Sequence, residues 1–402
     1  MLEHTIHRRG LIAGAAAAPL FGRRARAEDT DTVRIGVLTD AAGPYADSGG
    51  PGSVVAARMA AADFGGTVLG KKIEIMLGDT QNKPDLASSV ARQWYDTGHV
   101  DAITDLPVTP VAAAVLQVAR EKQRTVMITA SAVSEFTSKL CAPISTHWAD
   151  DTNALTTTTA KEVVAQGGKS WFFLTVDFTF GKALETAATA VIERNAGKVL
   201  GSAYFPIGNS DFSSQLVQAQ ASGAQVIGLA AVGNDQVNAI KQAAEFGLTK
   251  EHKQRLASFL VYITDIHSLG LQTTQGLLLT SSFYWDQNEK SRVFSRHFNA
   301  TRNAMPTRNQ ASIYTATLHF LKAMAQAGTR DALAVNKAMR ALPVDYHGHP
   351  GTVRADGRVM YYLTLYRVKS PAQSNAAWDY YTPVSNIGAV EAFLPMNPAC
   401  AG

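Results

Sequence analysis

The chain contains few cysteines and, beyond its N-terminal segment, no long apolar run. Cys141 and Cys400 are the only cysteines in 402 residues, which excludes a disulfide-rich scaffold. In an oxidising compartment these two thiols either pair or stay free, and the sequence leaves both outcomes open. After residue 27 no apolar run reaches the roughly 18 residues that a membrane-spanning helix needs. We therefore predict no integral membrane segment in the main part of the chain.

Motifs for catalysis, phosphate binding and metal binding are also missing. Gly168-Lys169-Ser170 resembles the end of a phosphate-binding loop, but Val163 stands where the motif needs a glycine. The segment His347-Gly348-His349 is followed by Pro350 and has no cysteine nearby, which favours a surface turn over a metal pair. No Ser-His-Asp order accompanies a nucleophile elbow. We therefore predict a protein that is not an enzyme and has neither a cofactor nor a metal site.

The first 27 residues have the pattern of an export signal. Arg8 and Arg9 precede an apolar run over 11–21, and Ala25-Arg26-Ala27 supplies a cleavage site between small residues. The paired arginines favour the twin-arginine route, with general secretion as the alternative. This segment holds five arginines and one glutamate, so it accounts for the net charge of +4 of the whole chain. The remainder is close to neutral, and we predict an exported, periplasmic protein without a nucleic-acid partner.

After residue 32, short apolar strands alternate with amphipathic helices. The pattern predicts a first set of strands over 33–39, 72–78, 100–104 and 125–129, with helices over 52–64, 84–97 and 109–122. A second set predicts strands over 171–176, 198–205, 226–230 and 256–261, with helices over 151–166, 180–194, 212–222 and 233–246. Later helices are expected over 289–303, 309–327 and 330–341, and a late strand over 358–368. Such alternation is typical of parallel sheets covered by helices, so two sets predict two doubly wound α/β lobes.

Several segments, in order along the chain, resemble the branched-chain amino acid type of ABC-transporter substrate-binding protein. They are 43–50 (GPYADSGG), 119–122, 178–181 (FTFG), 211–212, 242–248 (QAAEFGL) and 275–277. The resemblance implies a type 1 periplasmic-binding fold, in which two lobes are joined by a three-strand hinge and close on a ligand between them. It also implies an ABC permease of the inner membrane as partner. We expect one lobe to comprise 31–147 plus 282–357, and the other 148–281 plus 358–402.

Three loops that follow predicted first-lobe strands are candidates for holding a small-molecule carboxylate. Ligands of α/β sheets bind at the carboxyl ends of strands, where loop amides and small hydroxyls can donate hydrogen bonds. The alternative is that these serines and threonines are helix caps and turn residues. The first-lobe candidates are Tyr45, Ser48, Val108, Thr109, Ser131, Ala132 and Val133.

The resemblance implies that the second lobe discriminates among ligands. Phe180 and Val232 match positions where amino-acid binders of the family carry aromatic residues. Asp265 is the nearby candidate for the acid that binds the ligand ammonium group in those amino-acid binders. We expect stacking faces from Tyr45, Phe180, Tyr262, Tyr284 and Trp285, although packing in the core or hinge is the alternative for each.

The ligand is therefore predicted to be a small organic acid with an aromatic or apolar body. Aromatic segments at 94–96, 171–174 and 282–286 resemble those of family members that bind aromatic acids. A branched-chain amino acid or an amide is the alternative ligand. A ligand sensor acting on a signalling receptor is the alternative role, because both roles use ligand-driven closure.

Overall fold

A computed structural model of the protein describes Met1, residues 31–248 and residues 254–400. The predicted export signal over 1–27 lies outside the described residues, apart from Met1. The described residues from Thr32 onward form one compact unit. Among the described helices, none combines the length and the apolar character needed to cross a membrane.

The first sheet has six strands in the order β2-β3-β1-β4-β5-β6. Its strands are β1 (Thr32–Thr39), β2 (Thr67–Val68), β3 (Lys71–Asp79), β4 (Val100–Asp105), β5 (Thr125–Ile128) and β6 (Ser145–His147). All neighbours pair in parallel except β2 and β3. The helices that follow are α1 (Gly50–Asp63), α2 (Pro84–Asp96) and α3 (Thr109–Lys122). The central strand β1 is buried at every residue from Ile35 to Thr39, as expected of a parallel strand with helices on both faces.

The second sheet has four parallel strands in the order β10-β9-β7-β8. Its strands are β7 (Ser170–Val176), β8 (Lys198–Phe205), β9 (Val226–Ala230) and β10 (Arg255–Ser258). The surrounding helices are α4 (Thr152–Ala165), α5 (Thr179–Arg194), α6 (Ser213–Ala221), α7 (Asn234–Glu245), α8 (Ile263–Leu269) and α9 (Leu271–Thr274). The strand predicted over 256–261 ends at Ser258, because residues 259–262 instead lead into α8, which the sequence pattern did not indicate.

The remaining chain adds three helices to the first sheet and an antiparallel sheet beside the second. The helices are α10 (Glu289–Arg302), α11 (Arg308–Ala327) and α12 (Ala332–Ala341), followed near the C-terminus by α13 (Ala389–Ala392). The antiparallel sheet consists of β11 (Leu278–Ser281), β15 (Leu363–Val368) and β16 (Tyr381–Ile387), and a smaller one of β12 (Val344–Tyr346), β13 (His349–Val353) and β14 (Val359–Met360). The mixed α/β class predicted from the sequence is confirmed.

The segment His347-Gly348-His349 is the tight turn between β12 and β13, as predicted, but it is not a surface feature throughout. The imidazole of His347 is buried, with its ring centroid 4.8 Å from Phe283 and 4.7 Å from Phe294. Its Nε2 lies 3.0 Å from the carbonyl oxygen of Ala311. The side chain is therefore a core residue, and the expectation of a solvated turn is wrong for it.

Polar contacts join the chain segments that pass between the two large sheets. The carboxylate of Asp150 accepts hydrogen bonds from the amide of Ser282 at 2.9 Å and from the hydroxyl of Tyr361 at 3.0 Å. The guanidinium of Arg358 lies 3.5 Å from the carboxylate of Asp151. Segments near residues 150, 282 and 360 thus meet at one place, where the resemblance to the family predicts the hinge.

The two cysteines form a disulfide bond. Cys141, in the segment between β5 and β6, is joined to Cys400 near the C-terminus, with a Cα–Cα distance of 6.0 Å. Of the two outcomes that the sequence left open, pairing is the one observed.

Candidate functional site

The order of strands fixes where a ligand can bind. In the first sheet the connections reverse direction between β1 and β4, and in the second sheet between β7 and β9. At such switch points the loops at the carboxyl ends of neighbouring strands diverge and leave a crevice. The loops after β1, β4, β7 and β9 border one cavity between the sheets.

The loop after β1 is held by a single carboxylate. Asp40 accepts hydrogen bonds from the amides of Gly43 at 2.8 Å and Tyr45 at 3.0 Å. Ser48 donates its hydroxyl to the carbonyl oxygen of Tyr45 at 3.0 Å. Thr307, at the start of α11, donates to the carbonyl oxygen of Ser48 at 2.6 Å. The lone pairs of the Ser48 hydroxyl, and the ring of Tyr45, are therefore presented to the cavity by a rigid turn.

The loop after β4 brings the start of α3 to the cavity. Asp105 and Leu106 both have left-handed backbone torsions, with φ of 82° and 63°. These torsions turn the chain sharply, so that Val108 caps α3 and Thr109 begins it. The first amides of a helix have no partner within the helix, and they carry its positive dipole end. This end of α3 suits a carboxylate.

The loop after β5 contacts Thr109 at the start of α3. Ser131 donates its hydroxyl to the Oγ1 of Thr109 at 3.3 Å. The carbonyl oxygen of Ser131 in turn lies 2.7 Å from Nε2 of His147. The carbonyl oxygen of Ala132 accepts the amide of Thr152 at 2.7 Å. Ser131 is thus a support for Thr109, whereas Ala132 reaches the cavity wall.

This cavity lies between the two large sheets and is partly open to solvent. Most of its hydroxyls lie on the side of the first sheet, together with the ring of Tyr45 and small apolar groups, and the side of the second sheet is apolar and aromatic apart from the Tyr262 hydroxyl. None of the described residues that line it is charged at neutral pH. They are Tyr45, Ser48, Pro107, Val108, Thr109, Ala130, Ala132, Phe178, Phe180, Val232, Leu260, Tyr262 and Asn309.

Tyr262, in the wall on the second-sheet side, is held by two polar contacts. Its hydroxyl accepts a hydrogen bond from Nδ2 of Asn309 at 3.0 Å, and the guanidinium of Arg308 lies 4.8 Å from the ring centroid. Burial raises the pKa of this phenol. Tyr262 is therefore a neutral, fixed group whose hydroxyl proton remains available as a donor.

The two sides of the cavity touch at its rim. Gly233, which precedes α7, has φ of 65° and ψ of −143°, a conformation that essentially only glycine adopts. A Cβ added there would lie 2.8 Å from the carbonyl oxygen of Pro44 and 3.3 Å from the ring of Tyr45. The loops after β1 and β9 thus approach each other closely at this point of the rim.

The twelve predicted ligand residues fall into two groups. Those that line the cavity are Tyr45, Ser48, Val108, Thr109, Ala132, Phe180, Val232 and Tyr262, and those that do not are Ser131, Val133, Asp265 and Tyr284. Tyr284 and the aromatic candidate Trp285 line a separate, smaller cavity behind Tyr262.

Asp265 has a local structural role. Its carboxylate accepts the amide of Tyr262 at 2.8 Å, which caps the first turn of α8. Burial raises the pKa of Asp265 to about 7, even though the hydrogen bond from the Tyr262 amide and the charge of Arg308 both lower it. This carboxyl does not line the main cavity.

Five lining residues were not among the predicted ligand residues. Pro107, Ala130 and Phe178 lie in loops or segments that the sequence had singled out, whereas Leu260 and Asn309 do not. Leu260 lies within the strand predicted over 256–261, but the observed strand β10 ends at Ser258. Asn309 follows Thr307, whose Oγ1 accepts the amide of Gln310 at 3.3 Å while Gln310 accepts the amide of Thr307 at 2.9 Å. This T-x-x-Q capping box marks the start of α11 and is a signal that could have drawn attention to the site.

The fold and the enclosed site define a solute-binding protein whose cavity lies between two α/β lobes. The chain belongs to the periplasmic binding protein family, whose family model spans residues 32–375. This membership implies a periplasmic location. No curated protein matches the chain significantly.

Solved structures show the same architecture. A periplasmic binding protein of Burkholderia mallei is 44% identical, with 90% of this chain and 96% of that chain covered and a TM-score of 0.88. A branched-chain amino acid ABC transporter periplasmic ligand-binding protein of Burkholderia xenovorans is 36% identical, with 90% and 97% covered and a TM-score of 0.81. A solute-binding protein of Rhodopseudomonas palustris in complex with 3,4-dihydroxybenzoic acid is 19% identical, with 90% and 98% covered and a TM-score of 0.80. At that identity the last comparison supports the fold alone.

Proposed function

We propose that the protein binds a small aromatic carboxylate and delivers it to an ABC permease of the inner membrane. The observation that carries the proposal is the division of the cavity wall. The Thr109 hydroxyl, whose oxygen accepts the hydrogen bond from Ser131, and the first amides of α3 form one side, and Phe178 and Phe180 belong to the other. The first side suits an anion, and the second suits an aromatic ring.

The donors on the first side are sufficient in energy for a useful affinity. A hydrogen bond to a charged group contributes about 1.5–3 kcal/mol net. Two or three such bonds account for much of the roughly 8 kcal/mol that corresponds to micromolar binding. The aromatic wall then adds the apolar contribution from burying the ring.

A branched-chain amino acid or an amide is the second candidate ligand, because the 36% identical B. xenovorans protein is named for branched-chain amino acid transport. An α-ammonium group that is buried without an acidic partner is costly. The described side chains that line the cavity include no acid, and Asp265 is used by the α8 start. This chemistry favours the aromatic acid.

Thermal unfolding and calorimetry test the ligand class. Benzoate and hydroxycinnamates should raise the melting temperature in a concentration-dependent way, because a ligand that binds only the folded state stabilises it. Thr109→Val removes the hydroxyl and should weaken benzoate binding about tenfold or more. Thr109→Ser keeps the hydroxyl and serves as the matched control. Tight leucine binding without any binding of aromatic acids would overturn the proposal.

Export and delivery are tested in cells. Replacing Arg8 and Arg9 together by lysine should leave the protein in the cytoplasm if the twin-arginine route exports it. Uptake of labelled aromatic acid should fall when the chain is deleted and should return with the wild-type chain but not with Thr109→Val. Undiminished uptake in the deletion strain would contradict the transport role.

A further inference from the structure

The chain continues past its last strand, β16, and the segment that follows contacts both sides of the molecule. This segment comprises residues 388–400 and includes α13. The family model ends at residue 375, so the segment lies beyond the part of the chain that the model describes. No residue of the segment borders the main cavity. Its role must therefore follow from the parts of the fold that it connects.

On one side the segment is attached to α4, a helix that packs against α5 and β10 on the second-sheet side. Nδ2 of Asn153, the second residue of α4, donates to the carbonyl oxygen of Ala392 at 2.7 Å. Nζ of Lys161, also in α4, lies 3.0 Å from the carboxylate of Glu391. This ion pair is exposed and contributes little to stability, so the hydrogen bond to Ala392 is the main attachment on this side.

On the other side the segment is attached to the turn between β13 and β14. Nη1 of Arg354 donates to the carbonyl oxygen of Leu394 at 2.9 Å. The guanidinium of Arg354 is itself held by the carboxylate of Asp356, to which Nη2 donates at 2.7 Å. The carbonyl oxygen of Gly357 in this turn accepts the amide of His147, in β6, at 2.8 Å. Leu394 is thus joined through the turn to the edge strand of the first sheet.

The residue between these two attachments is Phe393, whose side chain is buried. The guanidinium carbon of Arg358 lies 4.2 Å from its ring centroid, and the ring of Tyr361 packs edge-on at 5.4 Å. Tyr361 donates to Asp150, and Arg358 pairs with Asp151. Phe393 therefore packs on the place where the segments that pass between the two large sheets meet.

The two attachments are close together along the chain. The carbonyl groups of Ala392 and Leu394 are two residues apart, and two extended residues span at most about 7 Å. A rotation of one sheet relative to the other that moves Asn153 away from Arg354 must therefore break one of the two hydrogen bonds. The short connection opposes such a rotation.

The disulfide bond keeps these contacts in place. The ends of a chain fray unless something ties them down. Residues 394–396 and 398–399 are exposed, so packing alone does little to retain the chain beyond Phe393. Cys400 is bound to Cys141, which lies between β5 and β6 on the first-sheet side. A hydrogen bond that breaks at Leu394 can therefore re-form, because its partner stays nearby.

We propose that residues 388–400 form a strap, held by the disulfide bond, that favours the observed orientation of the two large sheets. In this orientation the loops after β1 and β9 approach each other at the rim of the cavity. The strap therefore favours the narrow cleft and opposes its opening. A ligand that binds the narrow form binds more tightly when that form is more populated. The effect on affinity rests on the proposed function, whereas the effect on shape does not.

The double variant Cys141→Ser/Cys400→Ser tests the disulfide bond. Without ligand, small-angle scattering should show a larger radius of gyration than for the wild type, because the cleft opens more often. The affinity for benzoate, measured by calorimetry, should fall about threefold or more. Equal radii of gyration in the two proteins would overturn the strap. A lower melting temperature alone does not support it, because loss of a disulfide bond also acts on the unfolded state.

Two asparagine-to-alanine substitutions test the attachment while the disulfide bond stays intact. Asn153→Ala removes the hydrogen bond to Ala392 and should increase the radius of gyration and weaken benzoate binding. Asn195→Ala is the control, because Asn195 also donates to a backbone carbonyl at 2.7 Å, but to that of Val191 next to it in α5. The control should match the wild type in both measurements. Equal changes in the two variants, or no change for Asn153→Ala, would refute the strap.

The two kinds of measurement separate this inference from the proposed function. If benzoate and the other aromatic acids do not bind the wild type, the proposed function fails, and scattering of the unliganded proteins still decides about the strap. If the wild type binds benzoate but all variants scatter alike, the strap is refuted and the proposed function stands. If the variant without cysteines does not fold, the two asparagine substitutions decide.

Discussion

Nη1 of Arg358 lies 3.1 Å from Nδ1 of His147, and both side chains are buried. A guanidinium can only donate, so Nδ1 accepts and the ring proton of the neutral imidazole lies on Nε2. That proton is donated to the carbonyl oxygen of Ser131, whose hydroxyl donates to Thr109. Two hydrogen bonds to the backbone and side chain of Ser131 therefore connect His147 and Arg358 with Thr109 in the wall of the ligand cavity.

Replacing His147 should test this connection. His147→Leu leaves an N–H of Arg358 and the carbonyl oxygen of Ser131 unpaired, so the free energy of unfolding should fall by about 2 kcal/mol or more. Ligand affinity should fall as well, because Thr109 loses its support. His147→Gln can still donate to Ser131 and should retain more of both. Denaturant unfolding and calorimetry measure the two quantities, and wild-type behaviour of the leucine variant would contradict the connection.

A buried histidine near the hinge should make the protein sensitive to acid. Burial lowers the pKa of His347 to about 4, from an unfolded value near 6.5. Between these values the unfolded state binds the proton and the folded state does not. Stability from this group is therefore present above pH 6.5 and is lost as pH falls towards 4, by up to about 3 kcal/mol.

The variant His347→Asn checks this contribution. Asparagine tolerates the left-handed torsion at this position, where φ is 47°, and it does not titrate. Its absolute stability should be lower because packing is lost. Its loss of stability between pH 6.5 and pH 4 should nevertheless be smaller than that of the wild type in denaturant titrations. An identical slope in the two proteins would exclude His347 as a source of the acid sensitivity.

The carboxyl of Asp105 should lower the free energy of unfolding as pH rises, whereas His347 lowers it as pH falls. Burial raises the pKa of Asp105 to about 6, although the hydroxyls of Thr39 and Ser53 lower it. The folded state then holds a proton that the unfolded state releases, so this group costs stability as pH rises from about 4 to 6. Asp105→Asn should be more stable than the wild type at pH 8, by up to about 3 kcal/mol, and nearly equal at pH 4. A stability difference that does not change with pH would refute this assignment.

Closure of the cleft should depend on Gly233. An alanine at this position would clash with Pro44 and force an unfavourable backbone torsion, so the closed form should be disfavoured. Ligand affinity should fall about tenfold or more, and small-angle scattering should show a less compact liganded protein. Gly270→Ala is the matched control, because Gly270 has φ of 76° and ψ of 154° but no atom lies within 4 Å of its added Cβ. Equal affinities in both variants would contradict a role in closure.

Much of the fold could be predicted because its strands are short, buried and parallel. Apolar runs such as 171–176 and 226–230 correspond closely to strands, since both faces of a parallel sheet are covered. The late strand predicted over 358–368 is instead two strands that are interrupted at Tyr361. The Tyr361 hydroxyl donates a hydrogen bond to Asp150, which is more than 200 residues away in sequence, and no local sequence pattern predicts such a contact.

The candidate site, too, could be predicted only in part from the sequence. Loops after β1, β4, β7 and β9 could be expected to converge, because strand order alone brings their carboxyl ends to one edge. The place of Tyr284 and Trp285 could not be expected. Their polar atoms both reach the carbonyl oxygen of Trp378, at 3.2 and 2.7 Å, and this pairing across more than 90 residues turns them away from the main cavity.

The bridge from Cys141 to Cys400 encloses all of the second sheet and every segment of the hinge within one covalent ring. A protease that cuts any single surface loop between these two residues therefore releases no fragment. The nicked protein would migrate as one species until a reductant opens the ring, and only then would two pieces separate on a gel.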